Sequence, residues 1–421
     1  MKSWLRLSVC LVGLVSISTA WSYPLDGYPY TGILRLEGFR LVQQGKVQGI
    51  RVPPGAQLSS SQVDLRLLDR PGFEIPERDP EFAEAVIKLL GDEADRYGLA
   101  VLDLSDLQRP RYCDHFGIER ANPGSVGKII VALGVFQALA DLYPDDTEAR
   151  LNVLRNAMVV ADEFIISDHH KVPFWEPGDT RVRYRPIQQG DRANLWTYLD
   201  WMLSASSNAS ASMVIRELLV LLHFGRQYPV SPEQASKFLH ETSRKELSDL
   251  LARALQSPVT RNGLDLGKLR QGSFFTWKGK QLVPGTSSYA NPRELLHYLI
   301  RLEQGKLVDE FSSREIKRLL YMTQGRIRYA SSPALFDSAV YFKSGSLYKC
   351  KPEPNFTCRK YCGNDVNMLN SIAIVESPAG QPKLYYMVAL MSNVLRKNSA
   401  VVHQTMATRI HRLIESLHRD K

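Results

Sequence analysis

One stretch limits what this chain can fold into: Asn122-Pro123-Gly124-Ser125-Val126-Gly127-Lys128, running straight into Ile129-Ile130-Val131-Ala132-Leu133-Gly134-Val135-Phe136. A Pro-Gly turn opens it and a helix follows. A helix apolar on every side belongs inside a large core, so the fold must cover this one all round. Ser125 stands at its first turn, where a serine can cap free N–H groups. Lys128 falls one turn on, on the same face. A serine and a lysine so placed can also act as a nucleophile and its base. On this stretch alone, cap and nucleophile are equally good readings.

The chain is long enough for such a core, since 421 residues allow one large or two ordinary domains. Its start reads as a processing segment. Lys2 and Arg6 precede a short apolar run from Leu7 to Ile17, and Ser18-Thr19-Ala20 offers small residues for a cut near 20–22. The run is short for a membrane span, and no cysteine sits at the cut to carry a lipid. The expectation is a signal peptide over 1–20 and a periplasmic or secreted protein without an integral membrane segment after cleavage.

Cysteine usage agrees. Cys10 leaves with the leader, and Cys113, Cys350, Cys358 and Cys362 allow up to two disulfides outside the cytosol. At least one local bridge is expected among the last three. Their C-x7-C-x3-C spacing is not a zinc pattern and has no His beside it. The pair His169-His170 next to Asp168 sits among prolines and charges and reads as a surface loop, so no metal and no cofactor is expected. The net charge of +9 comes from scattered Lys and Arg without a binding motif, which argues against nucleic acid. Attraction to anionic envelope polymers or headgroups and a merely soluble surface both fit it.

Residues 23–76 read as a β-rich N-terminal appendage. Gly32-Ile33-Leu34-Arg35-Leu36 and Val63-Asp64-Leu65-Arg66-Leu67 alternate apolar and polar as half-buried strands do. Residues 77–421 read as one domain. A helix from Asp79 leads to strands at Gly98–Leu104 and Arg109–Phe116, then to the buried helix. A mainly helical lobe, about 140–330, follows. Its Asp168–Gly190 stretch reads as a loop, and Asn291-Pro292 opens a late helix. Ala339–Lys343, Ser371–Val375 and Leu384–Leu390 read as three more strands, with a last helix over Ala400–Leu417. This order fits an α+β sandwich: a five-stranded antiparallel sheet flanked by helices, with an all-helical lobe inserted between its strands.

Three motifs line up in that order: Ser125-Val126-Gly127-Lys128, Ser206-Ser207-Asn208 and Lys343-Ser344-Gly345-Ser346. The set resembles the class A β-lactamases and penicillin-binding DD-peptidases, whose pattern is S-x-x-K, S-x-N and K-[TS]-G. S-x-x-K alone is weak, and Ser346-Leu347-Tyr348-Lys349 also matches it, on a strand with no helical face. What is specific is all three motifs in order, each in its expected context.

The resemblance implies a β-lactamase/transpeptidase-like fold and a job for each residue. Ser125 attacks an amide carbonyl. Lys128 takes its proton, provided burial and neighbouring positive charge lower the lysine pKa. Ser206 relays a proton to the leaving nitrogen, and Asn208 holds the substrate amide and Lys128. Lys343, Ser344 and Gly345 serve the substrate carboxylate and let substrate approach the strand. The N–H groups of Ser125 and Ser346 form an oxyanion hole.

The pattern breaks at one place. Class A enzymes activate the deacylating water with a glutamate on a loop between the second and third motifs. The corresponding stretch here, Leu269-Arg270-Gln271-Gly272-Ser273-Phe274-Phe275-Thr276-Trp277, has no acid. The expectation is an exported serine hydrolase that takes a β-lactam or a peptidoglycan-like D-Ala amide as its small substrate and turns β-lactams over slowly. A penicillin-recognising binding or sensor module of the envelope is the alternative.

Overall fold

The computed structural model describes residues 21–419; the leader expected over 1–20 lies outside them. Five strands, β1 (Tyr97–Asp103), β2 (Arg111–His115), β3 (Ala339–Lys349), β4 (Val366–Ser377) and β5 (Leu384–Asn393), form one antiparallel sheet in the order β3-β4-β5-β1-β2. The helices that position the site are α1 (Leu34–Gln43), α2 (Pro80–Lys88), α3 (Lys128–Leu142), α4 (Leu195–Leu203), α5 (Asn208–Phe224), α6 (Arg244–Arg261), α7 (Pro292–Glu303), α8 (Glu310–Leu320) and α9 (Ser399–Leu417).

Both faces of the sheet are covered, and the period of two along each strand shows it. Leu99 and Val101 of β1 join a core with Phe82 and Val86 of α2 and Ile410 and Ile414 of α9. Ala100 and Leu102 face the other way, into the larger core shared with the helical lobe. At the centre of that core lies α3, buried from Lys128 through Ala140. It packs against α5 and α6. Gly134 permits the close approach of α6, since a Cβ there would lie 2.8 Å from the Ala254 carbonyl oxygen. By length and composition Gly124–Leu142 could cross a membrane, but 83% of its apolar window is buried inside the fold. Local sequence sets the helix starts: the side chains of Asn194, Ser207, Ser243, Asn291 and Asp309 each accept a backbone N–H at a helix N-terminus.

The N-terminal segment differs from expectation. Gly32–Leu36 is not a strand: Leu34 begins α1, and Arg35, counted as solvent-facing in an alternating pattern, is buried. Its guanidinium meets Asp200 of α4, with Nε 2.6 Å from Oδ2, and it also donates to the Ser22 carbonyl. Val63, Leu65 and Leu67 do alternate inward, yet no neighbouring strand pairs with them. Their chain bonds to α7 instead, with Leu67 N donating to Glu303 O at 3.1 Å. Alternation reports which side chains are buried, and that is only half of what makes a strand. The segment is therefore no β appendage; Tyr23, Ile33, Leu36, Val63 and Leu67 belong to the main core. The Asp168–Gly190 stretch holds a small hairpin, Lys171–Phe174 against Arg183–Pro186. Of the cysteines, Cys350 and Cys358 form the local disulfide, while Cys113 and Cys362 are free.

Charged groups also tie this segment to the helices and the sheet. Lys317 of α8, Glu303 of α7 and Glu376 of β4 are all fully buried, and Lys317 Nζ lies 2.7 Å from each carboxylate. Arg66 adds the second positive charge, 2.8 Å from Glu376, and Lys317 also donates to the Asp64 carbonyl at 2.5 Å. Removing one member of a buried cluster strands the others in a low-dielectric interior. Lys317→Met should cost about 3–5 kcal/mol in urea unfolding; a loss under about 1 kcal/mol would show that the two glutamates do not depend on it.

Candidate active site

Ser125 lies in a single 3-10 turn, Gly124–Gly127, just before α3, and its side chain caps no helical N–H. That removes the capping reading. Its Oγ lies 3.1 Å from Lys128 Nζ, the two being one turn apart on the same face.

Lys128 is fully buried and has two further partners, Ser206 O at 2.6 Å and Asn208 Oδ1 at 2.8 Å. A neutral amine has two N–H donors and one lone pair. With both donors on Ser206 and Asn208, the lone pair is left for the Ser125 hydroxyl. Burial brings the Lys128 pKa down to about 7; Arg328 pushes the same way, and Asp168 pushes against it. Lys128 Nζ also stands 4.8 Å from the centre of the Phe275 ring.

Ser206 sits between two buried lysines. Its carbonyl faces Lys128, and its Oγ accepts from Lys343 Nζ at 2.8 Å. The residue has φ +58, a left-handed conformation uncommon for non-glycine residues and concentrated at functional turns. It points carbonyl and hydroxyl toward the two different lysines. Burial, together with Lys128 and Arg328, holds the Lys343 pKa well below its ordinary value.

The third motif lies on β3 beside the serine turn. Gly345 faces it at a distance that tolerates no side chain: a Cβ would fall 2.4 Å from Ser125 N and 2.6 Å from Pro123 O. The glycine thus lets the strand come close to the serine turn. Asn370, paired with Gly345 across β3 and β4, donates to the Asn122 carbonyl at 2.8 Å and ties the sheet to the turn. All eight residues expected from the sequence lie on these three converging segments. Ser125, Lys128, Ser206, Asn208 and Lys343 are joined by hydrogen bonds; Ser344, Gly345 and Ser346 continue from Lys343 along the strand.

Two further residues join them. Arg328 (φ +53) donates to Ser344 Oγ at 2.6 Å, and to Ser346 Oγ and the Tyr361 hydroxyl at 3.1 Å each. Sequence offers no cue for it, because it lies in an irregular turn outside any motif. Asp168, expected on a surface loop, has a side chain only 3% exposed, and it reaches the second motif. Its partners Ser207 and Ala209 lie 39 and 41 residues on, which local composition does not report. Among the described residues no three His, Cys, Asp or Glu side chains gather as a metal site.

The stretch with no acid does lie at the site. Besides Phe275 over Lys128, Gln271 is buried against the serine turn, with Oε1 2.1 Å from where a Cβ on Gly127 would stand. Its amide Nε2 donates to Ser273 O at 2.6 Å. Gln271 is a carboxamide, which is no base.

The five-stranded sheet, the helical lobe and the serine turn between them make the β-lactamase/transpeptidase fold. No family model and no curated protein matches the chain. Solved structures do. A PBP-A variant, recorded as an acyl-enzyme complex with penicillin G, is 12% identical over 82% of this chain and 100% of its own, with a TM-score of 0.50. The β-lactamase from Sphaerobacter thermophilus DSM 20745 is 14% identical over 80% and 96%, also at 0.50. The TLA-3 extended-spectrum β-lactamase is 12% identical over 80% and 98%, at 0.51. At such identities the likeness is one of fold.

The geometry makes one direct prediction. NMR of the isotope-labelled Lys128 side chain should show it losing its proton near pH 7; a midpoint near the ordinary 10.5 would mean its charge is satisfied in place.

Proposed function

We propose that this chain is an exported serine hydrolase of the penicillin-binding type, forming an acyl-enzyme at Ser125 with a β-lactam or a D-Ala-like amide and releasing it slowly. The observation that carries the reading is the 3.1 Å contact between Ser125 Oγ and a buried lysine whose pKa is lowered to about 7. Ser125 Oγ bonds to the carbonyl carbon as its proton passes to neutral Lys128. The N–H groups of Ser125 and Ser346 hold the oxyanion. The C–N bond then breaks, and the leaving nitrogen takes its proton through the Ser206 hydroxyl, which is polarised by Lys343. Asn208 binds the substrate amide. Lys343, Arg328, Ser344 and Ser346 supply charge and hydrogen bonds for a substrate carboxylate. Export is supported by the composition of the first residues and by the Cys350–Cys358 disulfide.

Water must clear the acyl group, and the carboxamide of Gln271 is no base. The second reading is a penicillin-recognising binding or sensor module that does little catalysis, and the acid-free stretch from Leu269 to Trp277 favours it. Enzyme and sensor part company over Lys128→Ala and Lys343→Ala: an intact biological phenotype in both variants favours the sensor.

A fluorescent penicillin should label the wild type and not Ser125→Ala, with a labelling rate that falls below a midpoint near pH 7 as Lys128 takes up a proton. Equal label on both proteins would sink the nucleophile. Turnover of a chromogenic cephalosporin should be slow. Gln271→Glu places a carboxylate against Gly127, next to Lys128, and should shorten the adduct lifetime at least ~10-fold by intact-mass measurement. An unchanged lifetime would mean that the attacking water approaches from another side.

A further inference from the structure

Asp168 has no role in the chemistry above, yet it holds the part of the site on which that chemistry turns. Oδ2 accepts from Ser207 Oγ at 2.8 Å and from Ala209 N at 2.9 Å. Oδ1 lies 2.5 Å from His170 Nδ1, and His170 is half-exposed. Ser207 and Ala209 are the two chain neighbours of Asn208, whose Oδ1 meets Lys128. Ser207 also follows Ser206, whose carbonyl meets Lys128 and whose hydroxyl meets Lys343. A single buried carboxylate oxygen thus grips both flanks of the second motif. It does so where Ser206 must keep a left-handed backbone, which a serine does not adopt by preference. It also sits at the first turn of α5, where an anion suits the helix dipole.

We propose that Asp168 is the positioning residue of this site: it pins the Ser206–Asn208 turn against Lys128, acting through Ser207 and Ala209 and touching no reacting atom. This rests on the acyl-enzyme reading of Ser125 and Lys128. His170 closes the carboxylate off on its exposed side.

The pin carries a charge as well as hydrogen bonds. Burial pushes the Asp168 carboxyl up, but the hydrogen bond and charge of His170, the Ala209 N–H and Lys128 together hold it well below the usual carboxylate range. It stays ionised through neutral pH. Around Lys128, Asp168 is the anion that favours the protonated amine, while Arg328 opposes it; Lys343 is a further cation facing Lys128.

Two variants separate the roles. Asp168→Asn keeps an acceptor oxygen for Ser207 and Ala209 and an amide toward His170, but removes the charge. Asp168→Ala removes both. In hydrogen–deuterium exchange of the unliganded protein, Asp168→Ala should speed exchange across residues 204–212 at least ~10-fold, and Asp168→Asn should protect that stretch. In penicillin acylation, Asp168→Ala should lose at least ~10-fold in the acylation step rather than in initial binding. Asp168→Asn should move the acid limb of the rate to lower pH, because Lys128 loses the anion that favoured its protonated form.

An Asp168→Ala protein that exchanges and acylates like the wild type overturns the proposal. So does an Asp168→Asn protein that exchanges across residues 204–212 at least ~10-fold faster than the wild type although its acceptor oxygen is kept. If the Ala variant fails to fold, the Asn variant decides. If the wild type takes no penicillin at all, the acyl-enzyme reading fails by itself, and the exchange data still decide whether Asp168 pins the turn.

Discussion

The site depends on one buried amine. Lys128 begins the most completely covered helix of the fold, and no solvent is near to stabilise a charge on it. A lone ammonium there would be costly, and the fold supplies a carbonyl and a side-chain amide oxygen for two N–H groups and a hydroxyl that can donate to a neutral nitrogen. Everything that makes the lysine a base follows from the same burial. The second motif must approach closely enough to take its two N–H groups. The strand of the third motif must come alongside the serine turn, which Gly345 allows. The apolar helix is then more than filler, because its enclosure produces the pKa.

Much of this was legible in the sequence, for reasons that can be named. The sheet was readable because both its faces are apolar, so β1, β3, β4 and β5 appear as near-continuous hydrophobic runs between turns. The motif residues were readable because their chemistry restricts residue type: an amine, a hydroxyl and an amide cannot be exchanged for others. Arg35 and Arg66 were misread because arginine in an alternating pattern normally faces water, whereas here each meets a buried carboxylate from a distant helix or strand. Asp168 was misread for a related reason. Its carboxylate is taken up by Ser207 and Ala209, so what looks like a polar loop reaches the second motif. In each case the partner that buries the charge is far away in the chain, and no local pattern records it.

The distribution of charge around the cleft is lopsided. Lys128, Lys343 and Arg328 converge on Ser206, Ser344 and Ser346, while the carboxylate of Asp168 is engaged with Ser207, Ala209 and His170. A cleft of this kind stabilises negative charge as it develops on a substrate. It offers much less help to a water molecule that must lose a proton. On the proposed acyl-enzyme reading, acyl-group formation and acyl-group removal draw on different resources, and these residues serve the first.

The N-terminal segment has a bearing on how the molecule comes to be folded at all. Arg35 is matched by Asp200, Leu67 and Arg66 by Glu303 and Glu376, and Tyr23 by Glu315. The first part of the domain to be synthesised must therefore wait for its partners, which lie on α4, α7, α8 and β4. Contacts so distant along the chain slow folding and leave apolar and charged groups unmatched in the meantime. The domain closes around its own beginning, and only in the folded interior does Lys128 cease to be an ordinary lysine.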